Sequence, residues 1–200
     1  MKYRIVLASG SPRRKEILAG IGATYEVIVS DCDESTKVTE PAELVKELSK
    51  RKAEAVAKDI AGPVIVIGAD TVVAYHGNIL GKPKDREDAK RMITMLAEDV
   101  HQVYTGVALI IKEETGECRE VSFAECSEVE VDAMTDRQIE EYLDTREGED
   151  KAGSYAVQGI FAVHIKGIKG DYFNIVGLPV AAMYRSLYEN GIDLISGEKI

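Results

Sequence analysis

At 200 residues, 45% hydrophobic and 30% charged, the chain has the composition of an ordinary globular domain, which excludes disordered and fibrous classes. Its formal charge of −10 argues against sequence-independent binding to DNA or RNA, which needs a basic face to displace counterions. A small anion is still permitted, because local cations can outweigh the global field inside a cleft. Cys32, Cys118 and Cys126 fit no zinc or redox spacing, the first residues lack a signal-peptide core, and no apolar run reaches the ~18 residues of a membrane span. These features predict a reduced, soluble, cytoplasmic protein with no membrane partner.

Residues 3–8 read as a short buried strand, broken by Ser9-Gly10-Ser11-Pro12. Pro12 suits the first turn of a helix and Ser11 its N-cap, so a helix is predicted to about residue 20–22 with Ile17, Leu18 and Ile21 inward. Alternation predicts a second strand over 24–30, then an acidic loop over 31–34. A long helix follows over about 41–61, with Leu44, Val45, Leu48, Ala55 and Val56 at helical spacing and Lys52 inside that apolar stripe. The apolar run over 63–69 reads as a strand covered on both faces, ending at Asp70-Thr71, with strand character resuming over 72–75. A turn at 76–78, a loop at Gly81-Lys82-Pro83 and a helix over about 85–97 come next. Two long strands are predicted over 100–111 and 117–131, joined by a turn at Glu114-Thr115-Gly116. Thr135 or Asp136 caps a helix to about 144, and 146–154 is a charged loop. Strands are predicted over 155–165 and 172–176, and a last helix over 179–190, stopped by Gly191. Strand–helix units followed by hairpins favour a mixed sheet with helices packed around it.

A carboxylate directly after a buried aliphatic run is costly to place, so Asp70 stands out. Its position fits a metal ligand, a base that activates water, or a plain turn or cap residue. Lys52 in its apolar stripe fits either a cation held over phosphate or a lysine whose stem covers apolar surface. Ser9-Gly10-Ser11-Pro12-Arg13-Arg14 supplies hydroxyls, backbone donors and two guanidiniums where a strand turns into a helix, an arrangement that binds phosphate. Two arginines there oppose the helix dipole, and that local cost favours an anionic partner. Lys82, and Asp150 with Lys151, add charge in loops, and Glu34 is a loop acid; each alone fits a solvated surface group. Gln158, read as buried, must satisfy both ends of its amide, and a uracil or thymine edge offers both kinds of group, as does the protein backbone. No Walker A motif or nucleophile elbow is present, and His76, His101 and His164 form no metal spacing.

These segments together resemble the Maf family of nucleotide pyrophosphatases. The match runs through Ser9-Gly-Ser-Pro-Arg-Arg14, Asp33-Glu34, Arg51-Lys52-Ala53, Gly68-Ala69-Asp70-Thr71, Gly81-Lys82-Pro83, Thr105-Gly106-Val107, Asp150-Lys151-Ala152-Gly153-Ser154-Tyr155, Gln158-Gly159 and the stretch from Tyr172 to Pro179, in order over nearly the whole chain. The resemblance implies a single domain over 1–200, with two lobes around a central cleft. It implies an α/β fold with an elongated mixed sheet and flanking helices, inosine triphosphate pyrophosphatase-like. It also implies hydrolysis of a nucleoside triphosphate to the monophosphate and pyrophosphate with a divalent metal, Mg²⁺ or Mn²⁺, in a homodimer. Asp70 takes the place of the family base and a metal ligand, with Lys52 and Lys82 as catalytic cations. Glu34 and Asp150 take metal positions, and Ser9, Arg13, Arg14, Thr71, Lys151 and Gln158 substrate positions. Arg13, Thr71 and Gln158 match the branch acting on dTTP and UTP; another branch takes 7-methyl-GTP, and the family is linked to inhibition of septum formation. Gly148-Glu149 departs from the family, which often carries a proline there.

Overall fold

The computed structural model describes residues 1–200. Seven strands form one mixed sheet: β1 (Arg4–Leu7), β2 (Glu26–Val27), β3 (Val64–Tyr75), β4 (Asn78–Leu80), β5 (Val100–Lys112), β6 (Cys118–Val131) and β7 (Ile165–Lys169). Their spatial order is β2-β1-β3-β5-β6-β7, with β4 paired to β3. β1 runs parallel to β2 and β3, and the remaining pairs are antiparallel. Parallel neighbours need crossovers, and α1 (Pro12–Gly20) and α2 (Pro41–Ala57) lie in those connections. The mixed α/β sheet with flanking helices read from the sequence is therefore present.

The apolar run of β3 does not stop at Asp70. It continues to Tyr75 in unbroken register with β5, Asp70 opposite Gly106 and Thr71 opposite Thr105. A continuous ladder on one edge satisfies the backbone there, so a polar pair of side chains does not end the strand. The other edge of β3 is divided. β1 pairs with residues 64–67 and β4 with 73–75, and no strand lies beside 68–72 on that edge.

Alternation along β3 separates two cores. On one face Val64 and Val66 join Val6, Ala8, Ala108 and Ile110 against Ala53, Val56 and Ala57 of α2. On the other, Ile65, Ile67, Leu7 and Leu109 join a larger core with Leu18 of α1, Ile93 and Leu96 of α3 (Arg86–Leu96), and Met183 and Leu187 of α6 (Val180–Glu189). Two glycines set how closely α2 approaches its face. A Cβ on Gly68 would come within 2.1 Å of the Ser49 carbonyl oxygen, and one on Gly106 within 2.2 Å of that of Val45.

Local signals explain the helix ends. Asp85 caps α3 by accepting from the Asp88 N–H, and Thr135 and Gln138 form a reciprocal capping box on α4 (Asp136–Asp144), each cap a contribution of about 1 kcal/mol. Ser11 does sit at the N-cap of α1, but its side chain makes no capping bond. Three readings need correction. The second strand shrinks to Glu26–Val27, both exposed at the sheet edge. Residues 155–158 join no element; a 3-10 turn at Ile160–His164 follows, and only Ile165–Lys169 is a strand. The stretch 172–176 is a helix, α5 (Tyr172–Val176), begun by Asp171, which accepts from the Phe173 N–H, and ended at Gly177 with φ 124°. A short apolar run carries no period long enough to separate strand from helix, so the caps decided its form.

Candidate active site

The open edge of β3 carries Asp70 and Thr71 on opposite faces. Asp70 lies on the α2 side and is only 9% exposed. Lys52 of α2 places its Nζ 2.6 Å from Asp70 Oδ1 and 3.1 Å from Glu34 Oε2. The close seating of α2 over Gly68 and Gly106 is what brings this ammonium to the strand. Lys52 therefore bridges two carboxylates rather than carrying its charge out to water. Sheltered ion pairs contribute little net stability, so folding alone does not account for placing one here. Glu34 is delivered by a loop that Arg51 holds. The Arg51 guanidinium donates to the carbonyls of Asp33 (3.1 Å) and Ser35 (2.7 Å), bracketing Glu34, and also binds Glu47.

On the opposite face Thr71 meets Arg14. Arg14 donates through Nε to the Gly177 carbonyl (2.8 Å), through Nη1 to Ser9 Oγ (3.0 Å) and through Nη2 to Thr71 Oγ1 (3.1 Å). Thr105 gives its hydroxyl proton to the Asn174 carbonyl at 2.8 Å, so across the 2.9 Å contact Thr71 must donate to Thr105. Asn174 is tied in turn to the Val103 carbonyl and Ser127 Oγ, both at 2.9 Å. A directed chain thus runs from Arg14 through Thr71 and Thr105 to α5. Burial presses the Arg14 pKa down from its usual value, while Asp70 and Glu34 pull it back and Arg13 adds to the lowering. The protein's own acceptors engage Arg14, which removes half of the dipole argument for an anion. Arg13 makes no hydrogen bond or ion pair with the protein, and the argument stands for it alone.

Both sets of residues face one cavity of about 540 Å³. Arg13, Arg14, Glu34, Lys52, Asp70, Thr71, Lys82, Asp150, Lys151 and Gln158 all line it; Ser9 does not, and lies behind Arg14. Its walls carry five cations and three carboxylates, a surplus of +2 inside a chain of −10. Arg13 and Lys82 are uncommitted to any protein partner. Val103, Val157, Ile175 and Val176 supply apolar wall. The site therefore offers both charge for a polyanion and apolar surface for a flat ring.

Two site expectations need correction. Gln158 is exposed at the rim, not buried, because 155–158 is not a strand; the argument from a buried amide lapses, although the side chain does face the cavity. Asp150 is not grouped with Glu34 and Asp70: it pairs with Lys151, which holds its carboxyl below the usual range with help from Arg13. No three His, Cys, Asp or Glu side chains lie close enough to share an ion. Glu34 and Asp70, hard oxygen donors converging on one ammonium, do fit a cation such as Mg²⁺ that takes one or two carboxylates and completes its shell with phosphate oxygens and water. Thr105 and Asn174 fall within strings that carry the family resemblance, but no role was attached to either. Arg51 was visible only as a neighbour of Lys52.

The family described as Maf-like protein matches residues 4–190. The chain belongs to that family. Among curated relatives of this Maf-like chain, a dTTP/UTP pyrophosphatase of Lachnoclostridium phytofermentans is 51% identical over 193 residues, covering 96% of this chain and 98% of its own. One of the same description from Agathobacter rectalis is 47% identical over 203 residues, covering 96% and 99%. The solved Ham1 protein of Staphylococcus aureus overlaps loosely, with a TM-score of 0.39 and 19% identity over 64% of this chain and 71% of that one.

Proposed function

We propose that this chain hydrolyses dTTP and UTP to the monophosphate and pyrophosphate with Mg²⁺ or Mn²⁺. The observation that carries the reading is Asp70, held at the open stretch of β3 against Lys52 and facing a cavity with surplus positive charge. The names and high identity of the two bacterial relatives support the same substrates. Asp70 orients the attacking water at the α-phosphorus and accepts its proton. Arg13 and Lys82, which have no protein partner, meet the phosphates and stabilise the charge that develops there; Lys52 holds Asp70 in place beside them, and Lys151 adds to the field. Glu34 and Asp70 would hold the divalent cation, which supplies charge compensation to the phosphates. Arg14 and Thr71 act as the frame on which Asp70 is carried. Gln158 reads the pyrimidine edge from the rim, since one amide offers both donor and acceptor to it.

The same reading takes residues 1–200 as one domain with the cavity between two lobes, working in the cytoplasm as a homodimer. No helix is long and apolar enough to cross a membrane. Pyrophosphate release from dTTP, UTP, 7-methyl-GTP and ITP, with each metal and with a chelator, tests it. Cleavage of dTTP and UTP well above the purines, lost with chelator, is expected. A purine preference replaces the substrate assignment. No cleavage of any nucleotide with any divalent metal overturns the enzymatic reading and favours a regulatory role.

A further inference from the structure

The segment that carries Gln158 belongs to no strand or helix, so its shape must be imposed from outside. Glu147, in the loop after α4, does this. Its Oε1 accepts from the Ile160 N–H at 2.7 Å and its Oε2 from the Phe161 N–H at 3.1 Å. Phe161 is fully buried, its ring 4.9 Å from those of both Tyr142 and Tyr155, so one end of the turn is anchored in the core. Gly159 stands between Gln158 and the two amides. A Cβ there would lie 2.0 Å from Glu147 Oε1, so the carboxylate rests directly against the glycine. The φ of Gly159 is 167°, ordinary extended backbone, so the position needs glycine for space and not for conformational freedom. Gly148 completes the seat: a Cβ on it would lie 1.9 Å from the Ser154 carbonyl oxygen, which fixes the backbone next to Glu147.

We propose that Glu147 is a positioning residue for base recognition: its carboxylate, seated on Gly159, fixes the 158–161 turn so that Gln158 stands at the cavity rim in register with a pyrimidine edge. The inference rests on the dTTP/UTP reading above. It also accounts for the pairing of Gln158 with Gly159 in the sequence. The glycine makes room for the clasp, and the clasp aims the glutamine.

The test compares dTTP with CTP, which share the triphosphate but differ at the base edge, the ring methyl and the sugar 2′-hydroxyl, with UTP run alongside because it differs from CTP at the base edge alone. Glu147→Ala gives up two charge-assisted hydrogen bonds, and KM for dTTP should rise about tenfold while kcat stays within about twofold. The preference for dTTP over CTP should narrow accordingly. Gly159→Ala should have the same effect by displacing the carboxylate. In a Glu147→Ala background it should be neutral, because the space is then vacant. Glu147→Ala should add nothing to the selectivity loss of Gln158→Ala. A purely structural role would lower kcat for both nucleotides, leave their ratio unchanged and make the variants additive; that result overturns the proposal. Amide exchange in the unliganded chain provides a second readout. Ile160 and Phe161 should be protected in the wild type and exchange faster in Glu147→Ala; unchanged protection also overturns it. A wild type that cleaves neither nucleotide overturns the functional reading itself, and the base-recognition role falls with it. A wild type that cleaves dTTP but keeps its ratio in Glu147→Ala overturns only the role of the clasp.

Discussion

Replacing Asp70 with asparagine separates catalysis from binding and folding. The amide of Asp70→Asn would keep an oxygen for Lys52, now 2.6 Å from the carboxylate, and Glu34 would remain 3.1 Å from the same ammonium. Lys52 is therefore not left alone, and the stability loss should stay near ~1 kcal/mol, below the roughly 3–5 kcal/mol of a buried pair truncated without replacement. The cavity would gain one unit of net positive charge. At about 8 Å from a phosphate and an effective dielectric of about 40, that is worth roughly 1 kcal/mol, so a metal-free triphosphate should bind about fivefold more tightly. Loss of the general base should slow turnover by about 10²–10⁴, or about 3–5 kcal/mol of barrier. Pyrophosphate release gives the rate, titration calorimetry with dTTP in chelator the affinity, and thermal unfolding the stability. Turnover within a few-fold of wild type removes Asp70 from the role of base. Affinity reduced more than about tenfold refutes the charge account of the cavity.

Arg14→Lys cannot serve three acceptors spread over Gly177, Ser9 and Thr71, and should cost about 2 kcal/mol, seen as a Tm lowered by roughly 4–8 °C; an unchanged Tm would mean the frame does not depend on the guanidinium fork. Gly106→Ala drives a Cβ into the backbone of α2 at Val45 and should cost about 3 kcal/mol or more, with turnover falling as Lys52 is lifted from Asp70; urea unfolding and a rate assay check both. His101, buried and bonded to the Tyr155 hydroxyl at 2.7 Å, has its pKa pushed down by burial to about 4, against a weaker opposite pull from Asp99. Below pH ~6.5 the unfolded chain takes up a proton there that the folded chain refuses, so stability falls as pH drops from about 6.5 to about 4, by up to about 3 kcal/mol, and this contribution levels off below. Urea midpoints of wild type and His101→Gln across that range should diverge in slope; parallel curves would rule the histidine out.

Much of the site was legible because its residues violate local expectations. Asp70 after an aliphatic run and Lys52 within an apolar stripe each carry a cost that shows in one dimension, and they are 2.6 Å apart in three. The burial of both faces of β3 was legible too, in its continuous apolar run. What stayed hidden depends on contacts between distant segments. β3 runs through Asp70 because β5 pairs with it along its length, a fact belonging to residues 100–112. Gln158 is exposed because Glu147, eleven positions earlier, holds a turn where hydropathy suggested a strand. Asn174 and Thr105 act as acceptor and relay in the chain that starts at Arg14, and that role depends on partners far away in the sequence. Arg14 lines the cavity as the sequence led one to expect, but its ties to Ser9, Thr71 and Gly177 were not legible there.

Unpaired strand edges invite other chains to add to a sheet, and proteins generally shield or charge them. The gap on β3 leaves only residues 68–72 without a strand neighbour, with β1 closing it at one end and β4 at the other, and all but the half-buried Thr71 are buried. An intruding peptide would find too little length to zip up and would collide with both neighbours. A small ligand meets neither obstacle. The chain thus leaves one stretch of its sheet edge free of a strand neighbour without becoming a template for aggregation.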